Sequence, residues 1–190
     1  MNHHLFLMAV AMAIVTISGC GRTSNPLEQA IVENIKETNP DVADFEVSEL
    51  LLENTVTLEK ELTRRQCIFI NKEKSYRQKA ESYASKNMRV NASKNDSIAR
   101  SAAEILQRIE AYRETHTAQM DSVVYYVFRM KGIGHNNVGL KIDVKDYYVT
   151  VSPTEEVFAV LPPRSNPYKG MGKVIPGYFT EILGRDSDEN

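Results

Sequence analysis

Residues 122–161 read SVVYYVFRMKGIGHNNVGLKIDVKDYYVTVSPTEEVFAVL, and this stretch decides the fold class. β-Branched and aromatic residues dominate residues 122–130, and apolar and polar side chains alternate over residues 138–151. Runs of this kind, separated by Gly- and Asn-rich segments, are typical of antiparallel strands. A turn at 153–156 and a last strand at 157–161 follow. We therefore expect an antiparallel meander with one face in water, and a loop at its Gly- and Asn-rich segment, residues 132–137.

The middle of the chain has a helical periodicity. Ile98, Ala102, Ile105, Ile109 and Tyr112 follow one another at steps of four and three residues. This spacing places apolar side chains on one face of an α-helix. A seven-residue spacing relates Phe69, Tyr76, Tyr83 and Val90. Between these runs, residues 90–95 are polar and turn-prone. The pattern predicts two helices, about 64–89 and 95–116, folded back as an antiparallel hairpin; a single long interrupted helix is the alternative.

The remaining elements complete an α+β fold. Residues 27–37 fit a helix that ends at Asn39-Pro40-Asp41, and residues 45–47 and 50–58 are predicted to be extended. We predict a short antiparallel sheet of about four strands packed on the N-terminal helix, within one α+β domain at 27–161. The helical hairpin, residues 64–116, is inserted in this domain. The order of elements is similar to cystatin-like folds.

Composition and charge narrow the classes of function. The chain has 190 residues, 23 basic and 25 acidic side chains and two Cys, which fits one ordinary globular domain. A net charge of −2 gives no overall field for nucleic acid, so no nucleic-acid partner is predicted. The charges are segregated, however. Residues 60–113 carry thirteen basic and six acidic side chains, whereas residues 22–59 carry two and nine.

The N-terminus resembles that of bacterial lipoprotein precursors. Residues 1–19 lack Lys, Arg, Asp and Glu, and eleven apolar residues follow one another from Leu5 to Val15. This run suits a signal peptide and is too short to span a bilayer. Ile17-Ser18-Gly19-Cys20 is similar to a lipobox. The resemblance implies a signal peptide at 1–19, cleavage before Cys20 and acylation of Cys20.

Lipidation of Cys20 would anchor the chain firmly in a membrane. Residues 20–26 then form a lipidated tether, and the expected location is the cell membrane or outer membrane, facing the periplasm. Cys67 remains as the single thiol, and its neighbours Ile68, Phe69 and Ile70 favour a buried, inert side chain. Residues 162–190 hold four of the seven Pro and predict an extended, loosely held tail, with one or two helical turns at 176–183.

Catalytic and metal-binding signatures are sparse in the mature sequence. It contains two His, no CxxC and no HExxH, so no metal site and no cofactor are predicted. His135, in its Gly- and Asn-rich segment, is a candidate for exposure to a substrate, although a solvated turn residue is the favoured interpretation. His116 suits the negative end of a helix dipole.

The candidate interaction residues lie on the hairpin and the sheet. Basic residues of the hairpin suit an acidic partner or anionic lipid headgroups, or else form a solvated helix face; they include Arg77, Lys79, Arg89, Arg100 and Arg108. Tyr125 and Tyr147, on facing strands, suit core packing or a carbohydrate-stacking patch.

These observations predict a membrane-anchored cell-envelope lipoprotein. Its module is expected to be non-catalytic and to bind another envelope protein through the hairpin. The alternative is a periplasmic binder of a small ligand, glycan or lipid, with Tyr125 or Tyr147 lining the pocket. An enzyme that uses His135 is the third hypothesis.

Overall fold

The computed structural model of the protein describes residues 25–185. The predicted signal peptide, the lipobox with Cys20 and residues 186–190 lie outside this range. Within it the elements follow in the order helix α1 (Pro26–Thr38), strand β1 (Val42–Thr57), helices α2 (Leu58–Ser85) and α3 (Arg89–Thr115), and strands β2 (Val123–Asn136), β3 (Lys141–Val151) and β4 (Val157–Leu161). The fold is α+β, as predicted.

The four strands form one antiparallel sheet in the order β1-β2-β3-β4. The predicted loop at 132–137 is wrong, because β2 continues to Asn136 and stays paired with β1. Phe45 lies opposite Gly134, and its ring lies across Gly132, where an added Cβ atom would sit 2.3 Å from the ring. These two glycines therefore make room for a core aromatic residue within a strand.

Helix α1 covers one face of the sheet. The side chain of Asn25 accepts a hydrogen bond from the backbone N–H of Leu27 at 3.2 Å and caps the helix. Ile31 and Ile35 point into a core that contains Phe45 and Met130. Burial of each isoleucine contributes about 2 kcal/mol to this contact.

The hairpin begins directly after β1, at Leu58 rather than at residue 64. The hydroxyl of Thr57 accepts a hydrogen bond from the N–H of Lys60 and caps α2. α2 and α3 then pack against each other through one apolar cluster, which includes Leu58, Leu62, Phe69, Ala102, Ile105, Ile109 and Tyr112. The seam predicted over residues 98–112 is confirmed from Ala102 to Tyr112, whereas Ile98 is half-buried and lies outside this cluster.

The turn of the hairpin lies at residues 86–88, so the turn predicted at 90–95 is wrong. Asn87 has φ of 56°, in the left-handed region that Asn tolerates better than most residues. Residues 90–95 belong to the first turns of α3, where the Asn95 amide donates to the Asn91 carbonyl at 2.7 Å. These residues follow the turn and lie near the end of the hairpin, where Val90 is 83% exposed.

The segment after β4 packs onto the body of the protein up to residue 185. It forms a 3-10 turn at Met171–Val174 and a π-helical turn at Tyr178–Ile182. Ile175 and Ile182 are buried in the core shared by α2 and α3. The prediction of an extended, loosely held tail is wrong here, because apolar side chains of this Pro-containing segment are buried against α2 and α3.

Candidate functional site

The outer part of the hairpin, residues 72–98, has very little core; we call it the distal half. Ala80 is its one buried side chain among the described residues. Tyr76 and Tyr83 are half-buried, and most other side chains face solvent. The distal half is therefore a thin pair of helices that carries side chains into solvent.

The end of the hairpin combines exposed apolar and cationic side chains. Met88 is 43% exposed and Val90 is 83% exposed. Lys86, Arg89 and Lys94 stand around them, and their side chains make no hydrogen bond or ion pair within residues 25–185. We call these five residues the hairpin tip. Exposed apolar side chains close in sequence to cations without partners make this end of the hairpin a candidate binding surface.

Three other predicted basic residues, Arg77 and Lys79 in the distal half and Arg100 just beyond it, have local partners. Arg77 donates to Glu73 at 2.6 Å, and this hydrogen bond raises the pKa of the Arg77 guanidinium. Arg100 pairs with Asp96 at 2.8 Å, and the Lys79 ammonium lies 4.7 Å from the centre of the Tyr76 ring. These contacts join residues three or four positions apart on one helix and leave the side chains on the surface.

Arg108 has a structural role instead. Its guanidinium donates to the backbone carbonyl of Leu183 at 3.0 Å. In the same region the Tyr112 hydroxyl donates to the Pro176 carbonyl at 2.9 Å. Both α3 side chains therefore fasten the C-terminal segment to the hairpin, and Arg108 is not part of a free basic surface.

A charged network is buried at the base of the hairpin, by which we mean residues 58–71 and 99–115. Glu61 is fully buried, and its carboxylate accepts hydrogen bonds from Arg64, from Arg65 at 2.8 Å and from the Tyr125 hydroxyl at 2.7 Å. Arg64 also donates to the Tyr125 hydroxyl at 2.8 Å. A buried carboxylate requires such partners, because desolvation without them is very costly.

This base network also holds the C-terminal segment. The Arg64 guanidinium lies 3.9 Å from the centre of the Tyr168 ring, and the Arg65 guanidinium lies 5.8 Å from that of Tyr178. Stacking of this kind stabilises a partly desolvated guanidinium. Helix α2, strand β2 and the C-terminal segment thus meet at Glu61.

Tyr125 is therefore a core residue and not a surface for stacking. Burial raises the pKa of its hydroxyl, and the hydrogen bond to Glu61 raises it further. Tyr147 is half-buried beside the cluster under α1, and neither tyrosine is among the residues that line the cavity described below. The interpretation of these tyrosines as core packing agrees with their positions.

The two His of the described residues lie in separate places. His135, at the end of β2, has its Nδ1 atom 3.0 Å from a carboxylate oxygen of Asp44. His116 is the C-cap of α3, where it stacks on Tyr112 with ring centres 3.9 Å apart. His135 is thus in a paired strand and not in a loop, and Asp44 orients its ring.

Cys67 is exposed, so the prediction of a buried thiol is wrong. Its neighbours Ile68 and Ile70 are also about half exposed, and Phe69 alone of these four points into the hairpin core. An apolar neighbourhood in sequence does not bury a helical residue, because successive side chains point in directions about 100° apart.

A cavity of about 400 Å³ lies between the sheet and the C-terminal segment. Its walls are formed by Thr150, Ala159, Leu161, Ser165, Asn166, Pro167, Lys169 and Met171. Thr150 and Ala159 are register partners on β3 and β4. The hydroxyl of Thr150 is buried and has no hydrogen-bond partner among the described residues.

Within residues 25–185, no group of three or more His, Cys, Asp or Glu side chains is placed to hold a metal ion. None of the helices in this part of the chain is both long enough and apolar enough to cross a membrane.

The sequence and structure were also compared with known proteins. No protein-family model, no curated protein and no solved structure matches this chain.

Proposed function

We propose that this protein is a non-catalytic, membrane-anchored lipoprotein of the cell envelope whose hairpin tip binds an acidic surface of a partner protein. The lipobox-like residues Ile17-Ser18-Gly19-Cys20 support the anchor, because they place a cysteine directly after a signal-like apolar run. The partner-binding part of the proposal depends on the hairpin tip.

The hairpin gives the tip its reach. Helix α2 has 28 residues, and at 1.5 Å per residue it is about 42 Å long. Its base is held by the apolar core and the Glu61 network, whereas its distal half has solvent on most sides. The tip is thus presented away from the sheet on an arm whose base is fixed.

The chemistry of the tip indicates the kind of partner. Met88 and Val90 offer apolar area that a partner can cover. Lys86, Arg89 and Lys94 have no acidic partner within the described part of this chain, so a negative surface can neutralise them. An acidic protein surface with an apolar centre is complementary to both features.

A membrane with anionic headgroups offers some of the same chemistry. We favour a protein because the tip exposes two apolar side chains rather than a long apolar helix face. Direct binding of the purified protein to anionic vesicles, with loss of binding on removal of the tip cations, would contradict the proposal.

The decisive experiment is photo-crosslinking in cells that produce the full chain. A photoreactive amino acid replaces Val90 in one strain and Val138 in another. Val138 lies in the β2–β3 turn and is 77% exposed, so it matches Val90 in residue type and exposure. We expect a discrete protein adduct from position 90 and none of the same mass from position 138.

Two other crosslinking results would argue against binding at the hairpin tip. The same adduct from both positions would indicate random encounters, and an adduct from position 138 alone would place the binding surface on the sheet turn. Either result would overturn the role of the hairpin tip.

The anchor has an independent test. Mass spectrometry of the protein isolated from membranes should show a mature N-terminus at Cys20 that carries acyl groups. A native protein that begins at Met1 with an unmodified Cys20 would contradict the proposed location.

A further inference from the structure

We propose that the cavity between the sheet and the C-terminal segment binds a small organic carboxylate. This site is separate from the hairpin tip and does not depend on the proposed protein partner. Its evidence is a cavity of about 400 Å³, a buried hydroxyl without a partner and a cation at the cavity wall. A volume of this size lies within the range of small-molecule sites.

Strand register builds the floor of the cavity. Thr150 of β3 pairs with Ala159 of β4, and Leu161 pairs with Tyr148 two residues before Thr150. These pairs place Thr150, Ala159 and Leu161 on the same face of the sheet, because side chains two residues apart share a face. The small side chain of Ala159 leaves space above Thr150 that a larger residue would fill.

The C-terminal segment supplies the opposite wall. Pro167 and Met171 are buried there, and Ser165, Asn166 and Lys169 add polar groups. The Asn166 side chain is already engaged, since its oxygen accepts from the N–H of Tyr168 at 3.0 Å. Ser165 and Lys169 therefore remain as polar side chains for a bound molecule.

The hydroxyl of Thr150 is the observation that points to a ligand. Buried polar groups nearly always have a hydrogen-bond partner in native proteins, and this hydroxyl has none within the described residues. The Thr150 side chain is fully covered in this structure, so a ligand that offers an acceptor oxygen would reach this hydroxyl together with a shift of the cavity wall.

The lining also selects the chemical class of that molecule. Lys169 is a cation without an ion pair in the described residues, so it favours an anion. Ala159, Leu161, Pro167 and Met171 present apolar surface, which favours a hydrocarbon body. A carboxylate on a short apolar body meets both requirements, and Met171 can adjust to its shape.

The test is calorimetric titration of the purified full chain with octanoate as the probe, and with 1-octanol as the uncharged comparison. We expect saturable binding of one octanoate per chain and at least tenfold weaker binding of 1-octanol. Lys169→Gln should weaken octanoate binding about tenfold, which is the effect of losing one charge-assisted hydrogen bond. Lys173→Gln, a change at an exposed lysine that does not line the cavity, should leave binding unchanged.

Two further variants test the cavity itself. Thr150→Val keeps the shape of the side chain and removes the hydroxyl, so the thermal midpoint should be equal to or above that of the unaltered protein, while octanoate binding weakens. Ala159→Leu fills the floor and should abolish binding, with the circular dichroism spectrum unchanged.

Any of three results from the binding measurements would overturn the proposal. These are an absence of octanoate binding, equal affinity for 1-octanol, and octanoate binding that survives Ala159→Leu. A lower thermal midpoint of Thr150→Val would also overturn it, because the hydroxyl would then have a partner within the protein.

Discussion

The base and the distal half of the hairpin are built from the same two helices, yet they are stabilised in opposite ways. At the base, Leu62, Ile109 and Ile182 share one apolar core, and the buried Glu61 is bound by two arginines and a tyrosine. In the distal half, Ala80 is the one buried side chain of residues 72–98. The base determines where the hairpin stands, and the tip is left free to bind.

This difference has a physical cause. Beside Arg64 and Arg65, which bind Glu61 from the same helix, the base is stabilised by groups from distant parts of the chain, such as Tyr125 on β2 and Ile182 in the C-terminal segment. The contacts of the distal half are mostly between neighbours on one helix, such as Arg77 with Glu73, and exposed pairs of this kind contribute little to stability. Substitutions should therefore be costly at the base and tolerated in the distal half.

The largest predicted effect is at Glu61. Glu61→Ala should lower the free energy of unfolding by about 3–5 kcal/mol, because it leaves two arginines and a buried hydroxyl without their carboxylate. Glu73→Ala removes a carboxylate paired with an arginine in the distal half and should cost less than about 1 kcal/mol. Urea denaturation of both variants measures the contrast. An equal loss of stability in the two variants would show that the base and the distal half are stabilised to the same extent.

A somewhat smaller effect is expected in the C-terminal segment. Ile182→Ala should cost about 2–5 kcal/mol, because Ile182 is fully buried in the core between α2 and α3. Phe179→Ala, three residues earlier at a 39% exposed position, is the matched control and should cost much less. Thermal unfolding gives both values. An unchanged stability for Ile182→Ala would mean that this segment does not hold the base.

The next effect depends on pH. Tyr125→Phe should cost about 1–3 kcal/mol at neutral pH, since Glu61 loses a hydrogen-bond donor. Because the pKa of Tyr125 is raised in the folded protein, its contribution is complete below the ordinary tyrosine pKa of about 10 and is lost as pH rises from there toward the raised value. The difference in stability between the two proteins should therefore narrow above pH 10.

Urea denaturation at pH 7 and at pH 11 measures this change. Burial also raises the pKa of Tyr112 and Tyr178, but these residues are present in both proteins and cancel in the comparison. A difference that stays constant or widens with pH would contradict the assignment of Tyr125 to the buried network.

The smallest predicted effect is at the turn of the hairpin. Asn87→Val should cost about 1–2 kcal/mol, because a β-branched residue resists the φ of 56° found there. Asn87→Gly accepts this conformation readily and should change stability by less than about 0.5 kcal/mol. Thermal unfolding of the two variants tests the turn. A Val variant as stable as the Gly variant would show that residue 87 does not adopt the left-handed conformation of this turn.

The features that the sequence predicted well have local causes. Strand β4 begins and ends at residues 157 and 161, as predicted, because β-branched and apolar residues there follow a clear turn. The seam of α3 follows from residues spaced along one helix face. A pattern of this kind is contained in a short window of sequence and needs no knowledge of distant partners.

The features that were missed depend on tertiary contacts. Glu61 lies on the buried face of α2 with Leu58 and Leu62, and the local signals of its burial were Arg64 and Arg65, three and four residues later. Its hydroxyl partner is 64 residues away in sequence, at Tyr125. The glycines of β2 suggested a loop because the Phe45 ring that they accommodate belongs to another strand.

The central claim is that the hairpin tip binds a partner and does not hold the fold together. Its most direct test is the combined variant Lys86→Glu, Arg89→Glu and Lys94→Glu, with Lys36→Glu, Lys141→Glu and Lys173→Glu as a control of equal charge change. Unfolding free energy and the crosslink from position 90 are measured for both. We predict that the tip variant stays within about 0.5 kcal/mol of the unaltered protein and loses the crosslink, while the control keeps it. A crosslink that survives reversal of the three tip charges would contradict the account.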